Sequence, residues 1–366
     1  MVVKQLTLKQ FRNYESETIE LTDGINIFYG DNAQGKTNLL EGICYCATGK
    51  SHRTSNDKEC IRLGAEEALI RIVYEVRGKE EKIEIHLKKS GHKTILVNGY
   101  PSKRSELIGR FHVVVFSPED LSLVKNGPQY RRKFMDMELS QVDAVYLHDL
   151  QQYYHVLRQR NQLLKVEKNP QTVADTIFAW DQQLVYYGLR IMEKRAAFVK
   201  KLESYTAQIH QSITNQKEQL TIRYDQGAPS DAEEYAGKLE AQLEKDLRFG
   251  TTGIGPQHDD MTLFLNGTEV RTFGSQGQQR TAALSMKLAE MQMMREELGD
   301  EPVLLLDDVM SELDVSRQKE LASYIRKNQT ILTCTGIEDS IRDLEAEGMF
   351  HVLKGQVEKE RTEEIQ

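Results

Sequence analysis

Residues Gly30, Asp31, Asn32, Ala33, Gln34, Gly35, Lys36 and Thr37 carry the spacing G-x-x-x-x-G-K-T. Few eight-residue stretches restrict a fold as strongly. The loop needs an apolar strand before it and a helix after it, because its glycines turn backbone N–H groups inward and the helix N-terminus adds partial positive charge. Both flanks read that way, with GINIFY ending at Tyr29 and TNLLEGICYCATG beginning at Thr37. The chemistry expected is that of a nucleoside triphosphate: Lys36 reaches the β- and γ-phosphates, and Thr37 ligates magnesium.

A second element fits the first. Pro302-Val-Leu-Leu-Leu-Asp307-Asp308 has the form of a buried parallel strand ending in two carboxylates. There Asp307 is expected to hold the metal through water and Asp308 to polarise the attacking water. Lys36 and Asp307 are 271 residues apart, whereas a strand-helix-strand crossover takes a few tens of residues. The nucleotide fold is therefore expected to be split. Residues 1–120 supply its N-terminal half, 121–215 a helical insertion and 216–366 the C-terminal half. Short alternating strands fill the first third, and apolar residues fall at helical spacing over 128–165 and 172–213, with a break at Asn169-Pro170. Strands return at QLTIRYD. A helix near 231–248, a strand pair at MTLFLNGTEV and a long helix over 277–298 complete an α/β pattern.

The chain has 366 residues, 39% hydrophobic and 28% charged, which is globular composition rather than disorder. No apolar run reaches the 18 or so residues of a membrane span, and the N-terminus reads Met-Val-Val-Lys, so a soluble cytoplasmic protein is expected. Cys44, Cys46, Cys60 and Cys334 show neither C-x-x-C pairing nor a disulfide framework, and read as buried apolar residues. The net charge is −8, yet residues 121–215 hold 13 Lys and Arg against 9 Asp and Glu, which leaves −12 for the rest. Lys125, Arg131, Arg132 and Lys133 at the entry to that segment, with Lys194 and Arg195 further along, are the candidate contacts to nucleic-acid phosphates. With no base-reading motif in sight, backbone and shape recognition is expected. Tyr153, Tyr154, Tyr186 and Tyr187 read as packing between two helices. His258, Asp259 and Asp260 read as structural or near the nucleotide.

Before the long helix stands Phe273-Gly-Ser275-Gln-Gly277-Gln278-Gln-Arg280, a small-residue turn at a helix start, and Ser311-Glu-Leu-Asp314 follows the acidic strand. The order of these four motifs resembles that of ABC-type ATPases, in which two heads sandwich two ATP molecules between the phosphate loop of one protomer and the signature serine of the other. The opening LKQFRNY, ending at Tyr14, the loop GDNAQGKTN, mid-chain FSPEDLSLVKNGPQYRRKFMD, then GPQHDD, SQGQQR and LLLDDVMSELD together closely resemble the RecF family. The likeness covers residues 1 to about 340. It implies an ABC-type head with a helical second domain, ATP with Mg2+ as cofactors, an ATP-dependent homodimer and DNA binding at gaps and single/double-strand junctions. It further implies cooperation with RecO and RecR in loading RecA during recombinational repair and replication restart, in the setting of the SOS response. By the same resemblance Arg12, Asn13, Asn38 and Arg53 join the nucleotide contacts, and Ser275, Gly277 and Gln278 meet the partner's nucleotide.

Two positions depart from the ABC pattern. Thr333 or Thr335 stands where many such ATPases place a switch histidine, and no clear glutamine loop follows the phosphate loop, so slow, switch-like hydrolysis is expected. A transporter ATPase subunit is the alternative, disfavoured by the basic mid-chain insertion. A small-molecule kinase would not need the signature and SELD motifs.

Overall fold

The computed structural model describes residues 1–167, 170–313, 315–336 and 344–360. Lys168-Asn169 and Asp314 of the SELD segment lie outside them. Two compact units emerge, one from residues 1–120 and 294–366, the other from 121–293.

The first unit holds two six-stranded sheets. One is antiparallel, with β1 (Val2–Phe11), β2 (Tyr14–Glu20), β4 (Glu67–Val76), β5 (Lys79–Lys88), β6 (Thr94–Val97) and β7 (Tyr100–Ser102) in the order β2-β1-β4-β5-β6-β7. Its strands alternate as the sequence does, with Ala68, Ile70, Ile72 and Tyr74 buried on one face of β4. The other sheet runs β15-β14-β3-β13-β12-β8. It contains β3 (Ile25–Tyr29), β8 (Val113–Phe116), β12 (Val303–Asp307), β13 (Thr330–Cys334), β14 (Gly348–Leu353) and β15 (Gln356–Lys359). All its pairings are parallel except that of β15 with β14. The phosphate-loop helix, Lys36–Thr48, shares one hydrophobic core with both sheets, including Leu39, Leu40, Ile43, Ile70, Ile72, Leu305 and Ile331. At Gly42 a Cβ would come within 2.9 Å of Leu8, so glycine lets the helix approach the antiparallel sheet. All four cysteines are buried thiols outside any disulfide.

The second unit is built on the helices Pro128–Val142, Ala144–Val166 and Pro170–Ile213, the last of 44 residues. The segment expected as one helix over 128–165 breaks at Asp143, whose carboxylate caps the second helix by accepting from the Val145 and Tyr146 N–H groups, both at 2.9 Å. The predicted helix near 231–248 is likewise two, Ala232–Ala241 and Leu243–Phe249. The expected boundary at 215/216 is corrected to 293/294. The reason is the three-stranded sheet β9 (Leu220–Asp225), β10 (Asp260–Leu265) and β11 (Thr268–Glu269), which pairs within this unit and packs on its long helix.

Buried ion pairs tie that unit together. Arg195, fully buried, donates to Asp259 at 2.6 Å, Asp136 at 2.7 Å and the Pro256 carbonyl at 2.6 Å. Burial opposes its charge, but Asp136, Tyr146 and Asp259 outweigh that and hold its pKa well above the usual value. Arg131, also buried, forks onto both oxygens of Asp260 at 2.7 and 2.9 Å. Both arginines were expected to meet DNA. Instead their forks are filled by carboxylates and carbonyls inside the unit, so they are corrected to structural roles. The GPQHDD segment is thus the hub of this network. Tyr153 is core, as expected, whereas Tyr186 is largely exposed with Arg190 over its ring at 5.4 Å.

Candidate functional site

The parallel sheet delivers its chemistry at the C-terminal ends of three adjacent strands. Asp307 of β12 is in register with Thr333 of β13, and Thr333 with Phe28 of β3. Asp307 Oδ1 accepts from the Thr37 hydroxyl at 2.9 Å and from the buried Thr333 hydroxyl at 2.8 Å. The sheet therefore joins the two motifs that 271 residues separate. Of the two threonines considered for the switch position, Thr333 meets the acid, and Thr335 is exposed.

Glycine is required in the loop itself. Gly30 has φ +148° and a Cβ there would lie 2.4 Å from the Val352 carbonyl. Gly35 has φ +122°, and its Cβ would strike the Asn13 amide at 2.6 Å and the Tyr14 hydroxyl at 2.9 Å. The loop is gripped from outside. The Asn13 amide donates to the Gln34 carbonyl at 2.7 Å, Tyr14 Oη to the Gly35 carbonyl at 3.0 Å, and Asn38 Nδ2 to Asn13 Oδ1 at 2.8 Å. From the β14–β15 turn, Gly355 N–H reaches the Gln34 carbonyl at 3.0 Å and Lys354 N–H the Gln34 Oε1 at 2.7 Å. Lys36 is buried with its ammonium on the Gly30 and Asp31 carbonyls at 2.5 and 2.8 Å, while Asp31, Asn32 and Ala33 are exposed at the loop's crest.

Arg12 and Arg53 both bind Glu41, Arg12 at 2.6 and 2.8 Å and Arg53 Nη1 at 3.5 Å, and Arg53 Nη1 also donates to Asn38 Oδ1 at 2.9 Å. Burial pushes the Glu41 pKa up, but Arg12, Ser51 and Arg53 bring it below the ordinary carboxylate value. Sequence reasoning missed Glu41. Its signal was a single acid inside the apolar run LLEGICYC.

Asp308 takes φ +54°, fixed by its N–H on the Thr333 carbonyl at 3.2 Å and by the Ser311 hydroxyl donating to its carbonyl at 2.9 Å. The donor set suits magnesium. A hydroxyl and a carboxylate oxygen stand 2.9 Å apart, and no cluster of three His, Cys, Asp or Glu forms among the described residues. Such a site leaves most coordination positions to phosphate and water, the arrangement magnesium favours.

In the second unit, the signature turn starts the helix Gln276–Leu298. Ser275 and Gln278 form a reciprocal cap, Gln278 N–H to Ser275 Oγ at 3.3 Å and Ser275 N–H to Gln278 Oε1 at 2.9 Å. Ser275 and Gly277 are exposed, and a Cβ at Gly277 would meet open space apart from Ser275 Oγ at 4.0 Å.

Of the expected DNA contacts, Lys125 and Lys133 are exposed, Lys194 is exposed and paired with Asp143 at 2.8 Å, and Arg132 donates to the Asp259 carbonyl at 2.7 Å. A basic concavity on the first unit went unnoticed in the sequence. About 580 Å³ in volume, it is lined by Lys58, Lys88, His92, Lys93, Lys103 and Arg104, with Asp57 the one acid among the described residues that line it. Its cations come from separate elements and converge only on folding.

This geometry defines a class of protein, the ABC-type ATPase head, with the halves of its sheet drawn from the two ends of the chain. The family model described as RecF/RecN/SMC N terminal domain matches residues 2–354. A relative from Lachnoclostridium phytofermentans, named DNA replication and repair protein RecF, is 46% identical over 361 residues, covering 98% of this chain and 100% of its own. A solved structure described as the recombination mediator protein RecF-ATP in the RecFOR pathway superposes with a TM-score of 0.90 at 37% identity, covering 98% of this chain and 99% of that one. An SMC head bound to the C-winged helix domain of ScpA shares the fold, with a TM-score of 0.58 at 16% identity and all of both chains covered. The chain belongs to the RecF family.

Proposed function

We propose that this protein is an ATP-operated switch in DNA replication and repair. Two copies close on two ATP molecules, each held between the phosphate loop of one protomer and the Ser275 turn of the other. The closed dimer binds DNA at gaps and single/double-strand junctions and works with RecO and RecR to load RecA. The observation that carries this reading is that one chain presents both halves of such a sandwich, a loop shaped for a triphosphate and an exposed, capped helix start. The similarity to an ATP-containing RecF structure along almost the whole chain supports it and disfavours a transporter subunit.

In this reading Lys36 turns from the loop carbonyls to the β- and γ-phosphates, and the loop's N–H groups bind the remaining phosphate oxygens. Thr37 and Asp307 hold magnesium, which supplies charge compensation for the phosphate oxygens when bound. Arg53 and Asn38 line the loop's flank. Asp308 orients the attacking water and takes its proton. Thr333, a hydroxyl where many related ATPases use an imidazole, offers no comparable contact to a γ-phosphate, so turnover is slow.

DNA phosphates are met by Lys125, Lys133 and Lys194 on the helical unit and by Lys58, Lys88 and Lys103 around the concavity of the first unit, through charge rather than base reading. The experiment is solution mass with and without ATP for the parent, Lys36→Ala and Ser275→Arg. The parent should double in mass with ATP. Lys36→Ala should lose nucleotide binding, and Ser275→Arg should bind ATP and stay monomeric. A Ser275→Arg variant that dimerises like the parent would refute the sandwich.

A further inference from the structure

The signature turn does not stand alone in its unit. Gln278, which accepts the Ser275 N–H, donates its own Nε2 to Glu218 Oε1 at 2.8 Å. Glu218 Oε2 faces His210 Nε2 at 3.3 Å, and His210 Nδ1 lies 3.1 Å from Ser285 Oγ. His210 is fully buried near the C-terminal end of the 44-residue helix, and Ser285 sits on the signature helix. Glu218 is brought there by the turn after the long helix, where Asn215 and Gln216 take left-handed φ of 51° and 60°. A carboxylate only accepts, so the Glu218–His210 contact fixes Nε2 as the protonated nitrogen.

Resting on the sandwich reading above, we infer that Glu218 is a positioning residue for the signature turn, oriented by His210, so that the end of the long helix sets the geometry offered to the partner's triphosphate. The physical reason is the side chain of Gln278. A glutamine amide on an exposed helix start samples several rotamers, and the cap on Ser275 persists only in the one that points Oε1 at the Ser275 N–H. Glu218 holds the other end of the same amide, which selects that rotamer before the partner arrives. A turn already ordered meets its ligand without paying the ordering entropy.

The test asks whether Glu218 acts through Gln278. Glu218→Ala removes the anchor and should raise the protein concentration needed for half-assembly with ATP by about tenfold, the factor expected for one hydrogen bond to a charged group. Gln278→Ala removes the side chain that Glu218 holds, so adding Glu218→Ala to it should raise that concentration no further, whereas a loss of general stability would add in full. Monomer ATP affinity should be unchanged in Glu218→Ala. Parental assembly by Glu218→Ala, or a full further tenfold loss in the double variant, overturns the inference. Ser275→Arg in parallel separates the outcomes: if it still dimerises, the sandwich itself fails, whereas a monomeric Ser275→Arg beside a normal Glu218→Ala rejects the Glu218 role alone.

Discussion

Arg12 and Glu41 meet in a two-pronged ion pair, Nε to Oε2 at 2.8 Å and Nη2 to Oε1 at 2.6 Å, with the carboxylate fully buried. The pair ties the turn between β1 and β2 to the phosphate-loop helix. Arg12→Ala leaves a buried carboxylate short of its main partner and should cost about 3–5 kcal/mol of stability, read as a lower thermal midpoint at neutral pH. The sign of its pH dependence follows from the depressed folded pKa of Glu41. The stabilisation is complete above the ordinary value of 4.5 and disappears as pH falls through the lower folded value. The gap in midpoint between the parent and Glu41→Gln should therefore shrink in acid. A gap that widens there would contradict the assignment.

The two acids at the end of β12 should separate by function. Asp308→Asn keeps the size of the side chain and should leave ATP-induced assembly intact while slowing hydrolysis by roughly 10²-fold or more. Asp307→Asn should instead raise the magnesium concentration needed for ATP binding. Single-turnover hydrolysis and magnesium titrations read the two effects independently, and identical defects would show that the roles are not divided.

Gly35→Ala should impair nucleotide binding more than its single methyl suggests. The φ of +122° is strained for alanine, and the added carbon meets the two side chains, Asn13 and Tyr14, that grip the loop. Trimming the obstruction with Asn13→Ala would remove the grip as well, so Gly35→Ala with Asn13→Ala should recover little. ATP titration of the single and double variants tests this.

Charge on the surface and charge in the core should respond differently to salt. Replacing Lys88 and Lys103 with Ala should flatten the dependence of log DNA affinity on log salt by roughly 0.9 for each phosphate that is no longer neutralised, with the melting midpoint unchanged. Arg195→Ala should lower the midpoint by the equivalent of about 3–5 kcal/mol, because Asp136 and Asp259 lose their common partner. An unaltered salt slope in the lysine variant would move the DNA surface to Lys125, Lys133 and Lys194.

The nucleotide half of this protein was legible because its motifs are local. Gly30 to Thr37 needs a strand and a helix on either side, and the sequence writes all three in order; the apolar strand ending in Asp307 is equally compact. What the sequence hid was convergence. Glu41 looks like an ordinary polar residue until Arg12, Ser51 and Arg53 surround it, and Gln34 gives no hint that a turn 320 residues later will hold it. Arg131 and Arg195 looked like free cations because their carboxylates, Asp260 and Asp136 with Asp259, lie 129, 59 and 64 residues away. A linear count of charge cannot distinguish a solvated arginine from one sealed in an ion pair. The boundary near 215 was misplaced for a related reason: β9 to β11 look like a return to the first sheet until their pairing shows that they form one of their own.

The order of strands in the parallel sheet has a consequence for how the protein comes into being. β3 leaves the ribosome early, yet the neighbours it pairs with, β13 and β14, begin at Thr330 and Gly348. At elongation rates of roughly 5–20 residues per second, some 300 residues of delay mean that the strand bearing the phosphate loop waits about 15 to 60 seconds for a partner. The continuous 121–293 unit can complete itself in that interval. A nascent chain therefore cannot assemble its triphosphate site until the strands at Thr330–Cys334 and Gly348–Leu353 have been translated, and a product truncated before residue 330 would carry the loop sequence without the sheet that makes it a site.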